Sequence, residues 1–135
     1  MTVNYIAIIV ASIVVMIIGF LWYSPLLFGN VWMKLSNISK KDIDKNKKKG
    51  MGKYMLAAFV ALLLTAGVME FMLELIGYTD FFSGVVFGFL VWLGFVATVM
   101  LNNVLWEGKS VPLYLLNILY ELVVFVVMGG ILGVW

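Results

Sequence analysis

Four long apolar runs, separated by short polar stretches, carry most of this chain: about residues 3–22, 54–76, 81–104 and 111–135. An α-helix rises about 1.5 Å per residue, so about twenty such residues cross the roughly 30 Å of bilayer hydrocarbon. The pattern predicts an all-α fold, a four-helix antiparallel transmembrane bundle forming one domain over residues 1–135. The first run lacks a basic leader and a small-residue cleavage site, which favours a retained helix over a signal peptide.

The connections have signals of their own. After the first run comes Trp22-Tyr23-Ser24-Pro25. The residue before a proline is pushed out of the helical region, so the first span should end here. Ser24 as cap and Pro25 in the first turn would then open a short helix over about 25–35, bearing Leu27, Phe28, Val31, Trp32 and Leu35. Too short to span, this helix belongs at the membrane interface. Residues 36–53 form a polar, lysine-rich loop in which Ser39 and Asp42 fit a capping box. Gly77 to Asp80 turns the chain, Asn102 to Ser110 turns it again, and Pro112 suits the first turn of the last helix.

Composition decides between a buried core and a bilayer. The chain is 64% hydrophobic and 12% charged, with a mean hydropathy of +1.12. That is more apolar surface than a soluble domain of 135 residues can hide. With no Cys and no His, disulfides, thiolate nucleophiles, imidazole bases and most transition-metal sites are excluded, and no cofactor is expected. All nine basic residues are Lys, and eight fall between Lys34 and Lys53. Beside a membrane span such a cluster reports orientation or contact with anionic headgroups, and nucleic acid is not expected. Lys40, Lys41, Lys45, Lys47, Lys48 and Lys49 are the candidates for contact with lipid or a protein partner.

The positive-inside rule places this loop in the cytoplasm and both termini outside, as in a multi-pass protein of the cell membrane. Aromatic residues fit that frame, with Tyr5, Tyr78 and Trp135 at one face and Trp22, Tyr54 and Trp106 at the other. Ala57, Ala58, Ala61 and Ala66, with Gly84 and Gly88, offer small faces for close helix approach. Four thin helices with small residues on several faces seldom enclose a pathway alone, so a homo-oligomer within the lipid bilayer is expected.

Several stretches resemble a known family. Gly19-Phe-Leu-Trp-Tyr-Ser-Pro-Leu-Leu-Phe-Gly-Asn-Val-Trp-Met33 is similar to the signature of the integral-membrane family called domain of unknown function 1761. Trp92-Leu-Gly-Phe-Val-Ala-Thr98 and Asn103-Val-Leu-Trp-Glu-Gly108 resemble its third helix, and Leu116-Asn-Ile-Leu-Tyr120 and Gly130-Ile-Leu-Gly-Val-Trp135 its last. The resemblance implies a four-helix membrane protein and brings no activity, cofactor or catalytic residue with it.

Candidate chemistry centres on Glu121. It lies about ten residues, or about 15 Å, into the last helix, hence near the bilayer midplane. A carboxylate at that depth marks a functional site or a packing constraint. Asn117 and Tyr114 share its face, one and two turns nearer the cytoplasm. On the third helix Trp92, Thr98 and Asn102 fall at matching depths. One reading is a polar inner-half pathway ending at Glu121, where a carboxylate could bind and release a proton or a cation. The other is structural: Glu121 ties helices together through Asn117, Tyr120 or the Trp92 N–H. Glu70, with Glu74 one turn on, sits near the outer interface, where it is a further candidate for the pathway, lining an outer mouth, although reaching headgroups and water is the role expected first. No phosphate-binding loop, nucleophile elbow or metalloprotease motif is present, so an enzyme is not expected. Two functions follow: an oligomeric channel or transporter for protons, cations or small solutes, or a non-transporting scaffold or accessory subunit working through its basic loop.

Overall fold

The computed structural model describes residues 3–48, 50–77 and 80–135, with the side chains of 46–48 left out. Lys49, Tyr78 and the side chains of Lys47 and Lys48 therefore lie outside the described residues. The elements are α1 (Tyr5–Trp22), α2 (Gly29–Ser36), α3 (Lys40–Lys48), α4 (Met51–Ile76) and α5 (Phe81–Val91). A π-helical segment, Trp92–Ala97, continues α5 into α6 (Thr98–Met100) and α7 (Asn102–Leu105), and α8 (Val111–Val134) ends the chain. Four helical stretches, Tyr5–Trp22, Met51–Ile76, Phe81–Leu105 and Val111–Val134, are long and apolar enough to cross a membrane. The protein is a helical bundle of the kind a multi-pass membrane protein has.

Helix ends follow local chemistry. Asn4 caps α1 by accepting from the Ala7 N–H at 3.1 Å, and Ser110 caps α8 by accepting from the Leu113 N–H at 3.3 Å. Gly77 ends α4 with φ of 85° and donates to the Leu73 carbonyl, a left-handed cap that glycine adopts without strain. The Ser39–Asp42 capping box forms at the start of α3. Both the Ser39 backbone N–H and its hydroxyl reach Asp42 Oδ2 at 3.0 Å, and the Asp42 N–H donates to Ser39 Oγ at 3.2 Å.

The link between α1 and α2 differs from its sequence expectation. The short helix starts at Gly29, not Pro25. The Ser24 hydroxyl does not cap it and instead donates back to the Leu21 carbonyl at 2.7 Å, while the Ser24 carbonyl accepts from the Leu27 and Gly29 N–H groups. The chain doubles back so tightly that a Cβ on Gly29 would stand 2.5 Å from the Tyr23 carbonyl oxygen. Three residues after Pro25, Leu26 to Phe28, complete this turn before the helix begins at Gly29.

The core is unevenly distributed. α5 and α8 meet backbone to backbone: a Cβ on Gly84 would collide with the Gly129 carbonyl, and one on Gly88 with that of Phe125. Farther along, Trp92 meets Ile118 and Ala97 meets Tyr114, so partners descend on α8 as they ascend on the third stretch. α1 contributes Ala7, Ile8, Ala11, Ser12 and Val15 to the core, and α4 contributes Ala66, Met69, Glu70 and Leu73. All four of these α4 positions lie in its last eleven residues, and Gly52 to Ala58 are exposed on every side of the helix. α4 thus packs at one end and stands clear of its neighbours at the end next to the lysines.

Candidate functional site

The inward face of α8 carries Tyr114, Asn117, Glu121, Phe125, Met128 and Leu132, which at 100° per residue fall within about 80° of one another. Phe125, Met128 and Leu132 are buried, whereas Tyr114, Asn117 and Glu121 are half-buried. The change comes at Glu121 because α4 covers only the far end of the bundle. On this face the half-buried polar side chains run from Tyr114 to Glu121, and Phe125 begins the buried part.

Two of its polar side chains are fixed. Asn117 Oδ1 accepts from the Tyr23 hydroxyl at 2.8 Å, joining the end of α1 to the middle of α8. The Tyr114 hydroxyl donates to the Ala97 carbonyl at 2.5 Å. Beside them lies a cavity of about 80 Å³ lined by Asn103, Lys109, Tyr114 and Asn117, with Met100 and Leu113. It has room for a few waters. Tyr23 also stacks edge-on against Tyr120 (centroids 5.2 Å apart) and Trp32 (5.8 Å), and Trp22 lies 4.6 Å from Phe28. This aromatic cluster braces the ends of α1 and α2 on α8.

Glu121 has no hydrogen-bond partner among the described residues, although Tyr23 and Tyr120 lie in its electrostatic neighbourhood. The groups expected to tie it down are engaged elsewhere or bond to nothing. Trp92 Nε1 donates to the Ile118 carbonyl at 2.7 Å, and Asn117 Oδ1 is held by Tyr23.

Thr98 and Asn102 stand away from this face. Both are exposed, and the Thr98 hydroxyl bonds the Gly94 carbonyl at 2.7 Å. The cause is the π-helical segment, whose wide turn inserts a residue and rotates everything beyond it. Inward positions run Gly84, Gly88, Trp92, then Ala97, a step of five, and on to Met100 and Asn103. Asn103 therefore takes the place that a uniform 100° advance assigns to Asn102. Tyr23 is the other site residue that sequence reasoning missed; as an aromatic at a helix end it gave no sign of a partner 94 residues away.

Glu70 is a correction. Expected to reach headgroups and water, it is only 3% exposed and lies on the buried stripe of Ala66, Met69 and Leu73. Its carboxyl sits against the backbone N–H of Asn4 and beside Glu74, and Oε2 has no partner. The reason is tertiary: α4 leans on α1 at this end. Lys40, Lys41 and Lys45 are exposed on α3.

No curated protein and no solved structure matches the chain. The family described as "Protein of unknown function (DUF1761)" matches residues 6–133, nearly the whole length, and the chain belongs to that family.

Proposed function

We propose that the chain is a subunit of a small oligomeric channel or transporter that moves protons, cations or small solutes, with Glu121 as its ionisable group. The supporting observation is the step in exposure along α8: a carboxylate without a hydrogen-bond partner stands where the half-buried face of Tyr114 and Asn117 gives way to the closed core. A charge at mid-bilayer costs several kcal/mol unless it meets water, a partner or a proton. With the lysine loop cytoplasmic, the small cavity beside Tyr114, Asn117 and Lys109 lies on the inner side of Glu121. The exposed Ala57, Ala58 and Ala61 of α4 supply a small-residue face for a second copy.

The test is flux into proteoliposomes followed with pH- and voltage-sensitive dyes, comparing wild type with Glu121→Gln after both are shown to be folded and of equal oligomeric state. Flux that the substitution abolishes supports the reading, and equal flux in both removes Glu121 from it. A scaffold working through the exposed Lys40, Lys41 and Lys45 is the second reading. Lys-to-Gln changes there would abolish partner capture and leave flux intact.

A further inference from the structure

The turn between α1 and α2 and the helix that follows enclose a second, larger cavity. It has a volume of about 560 Å³, within the range of ligand sites. Its apolar wall includes Phe20, Trp32, Met33 and Ile43, and its polar rim includes Lys40 and Asp44. Phe20 belongs to the last turn of α1, a helix apolar enough to cross a membrane, while Lys40 and Asp44 belong to the polar α3. The cavity thus runs from hydrocarbon-like surroundings to charged ones over a short distance.

The two charges carry the assignment. Lys40 and Asp44 stand four residues apart on one helix, so the two opposite charges lie on one face about a turn apart. Both line the cavity, and no ion pair within 4.0 Å joins them. A ligand that satisfies both must hold an anion and a cation a few ångströms apart and attach them to an apolar body. An amino-phospholipid does so, with a phosphate for the ammonium of Lys40 and a primary ammonium for the carboxylate of Asp44. A quaternary amine cannot donate the hydrogen bonds that a carboxylate accepts, and an anionic headgroup without an amine offers the carboxylate of Asp44 no cation. The bilayer supplies such molecules at this depth.

We propose that this cavity binds one phospholipid bearing a primary amine, its phosphate at Lys40, its ammonium at Asp44 and the upper part of its chains along Phe20 and Trp32. The site is separate from Glu121, and its occupancy does not depend on transport.

The test is native mass spectrometry of the full chain in detergent, titrated separately with phosphatidylethanolamine, phosphatidylcholine and phosphatidylglycerol. One phosphatidylethanolamine should be retained about tenfold more tightly than either of the others, the worth of one charge-assisted hydrogen bond. Asp44→Asn should reduce it to the phosphatidylcholine level, and Lys40→Gln should weaken all three. Both positions are exposed, so the variants should melt as wild type does. Equal retention of the three lipids overturns the proposal, as does a preference that survives Asp44→Asn, or a phosphatidylglycerol preference lost with Lys40→Gln alone.

Discussion

The indole N–H of Trp92 donates to the backbone carbonyl of Ile118 at 2.7 Å, in the buried seam between the third helical stretch and α8. Trp92 opens the π-helical segment and Ala97 closes it. A wide turn disturbs the regular backbone ladder and leaves carbonyls to be satisfied by other groups. Here the Ala97 carbonyl is met by the Tyr114 hydroxyl and that of Gly94 by Thr98. Trp92 and Tyr114 together fix the register of α8, and with it the places of Asn117 and Glu121.

Removing the indole donor while keeping a ring should loosen that register. Trp92→Phe is expected to cost about 1 kcal/mol, a typical net value for one buried hydrogen bond. Tyr114→Phe should cost a similar amount. The double variant should cost less than their sum, because both bonds hold one interface. Reversible unfolding in mixed micelles measures all three, and strict additivity would show that the two bonds act independently.

Glycines on the α5–α8 seam should respond quite differently from glycines elsewhere. Gly84→Ala and Gly88→Ala place a methyl against the backbone of α8, which no rotamer change relieves, so each should cost about 1–3 kcal/mol or more. Gly67→Ala meets nothing within 4 Å and lies mid-helix, where alanine is favoured by up to about 1 kcal/mol. It should be neutral or stabilising. Melting temperatures in one detergent separate the two classes, and equal losses at Gly84 and Gly67 would remove close packing as the cause.

The features legible in the sequence are those set by local spacing. Four apolar runs give four helices, Ser39 with Asp42 gives the α3 cap, and Tyr114, Asn117 and Glu121 share a face because they lie seven, four and zero residues from one point. Thr98 and Asn102 were misplaced because periodicity counts on a constant 100°, and nothing in Trp92–Ala97 announces a π turn. The burial of Glu70 was not legible either. It depends on how α4 leans against α1, and the charge itself argues for water. Ser24 suits a cap by residue type, but the reversal at Gly29 sends its hydroxyl back to Leu21.

The cap at α3 should make that helix sensitive to acid. The Ser39 backbone N–H and hydroxyl stabilise the ionised Asp42 and hold its carboxyl below the usual aspartate value. A depressed pKa contributes stability above the unfolded value of about 3.9, and the contribution is lost as pH falls through the lower folded value. Protection of the α3 amides, taken relative to intrinsic exchange at each pH, should therefore fall below about pH 4, where the unfolded aspartate is about half protonated. Ser39→Ala should weaken the effect and Asp42→Asn remove it. Persistence of the same acid step in Asp42→Asn would assign it to another carboxylate.

Glu70 and Glu121 should differ in what their loss does to stability. Glu121 is half-buried and holds no hydrogen bond among the described residues, so Glu121→Gln breaks no bond and removes a potential charge at mid-bilayer, and it should leave stability unchanged or raise it. Glu70 is 3% exposed, with Oε2 unpartnered. A buried polar atom without a partner costs about 1–3 kcal/mol, and replacing it with an apolar group of similar shape can recover that cost. Against this stands the contact with the Asn4 N–H at the start of α1, where a negative charge is worth about 0.3–1 kcal/mol. The first effect is the larger, so Glu70→Met should stabilise the protein by about 1 kcal/mol. Denaturant titration of the two variants beside wild type measures both effects. A loss at Glu70→Met would show that holding the end of α1 outweighs the unpartnered oxygen, and would make that carboxylate an anchor of the bundle.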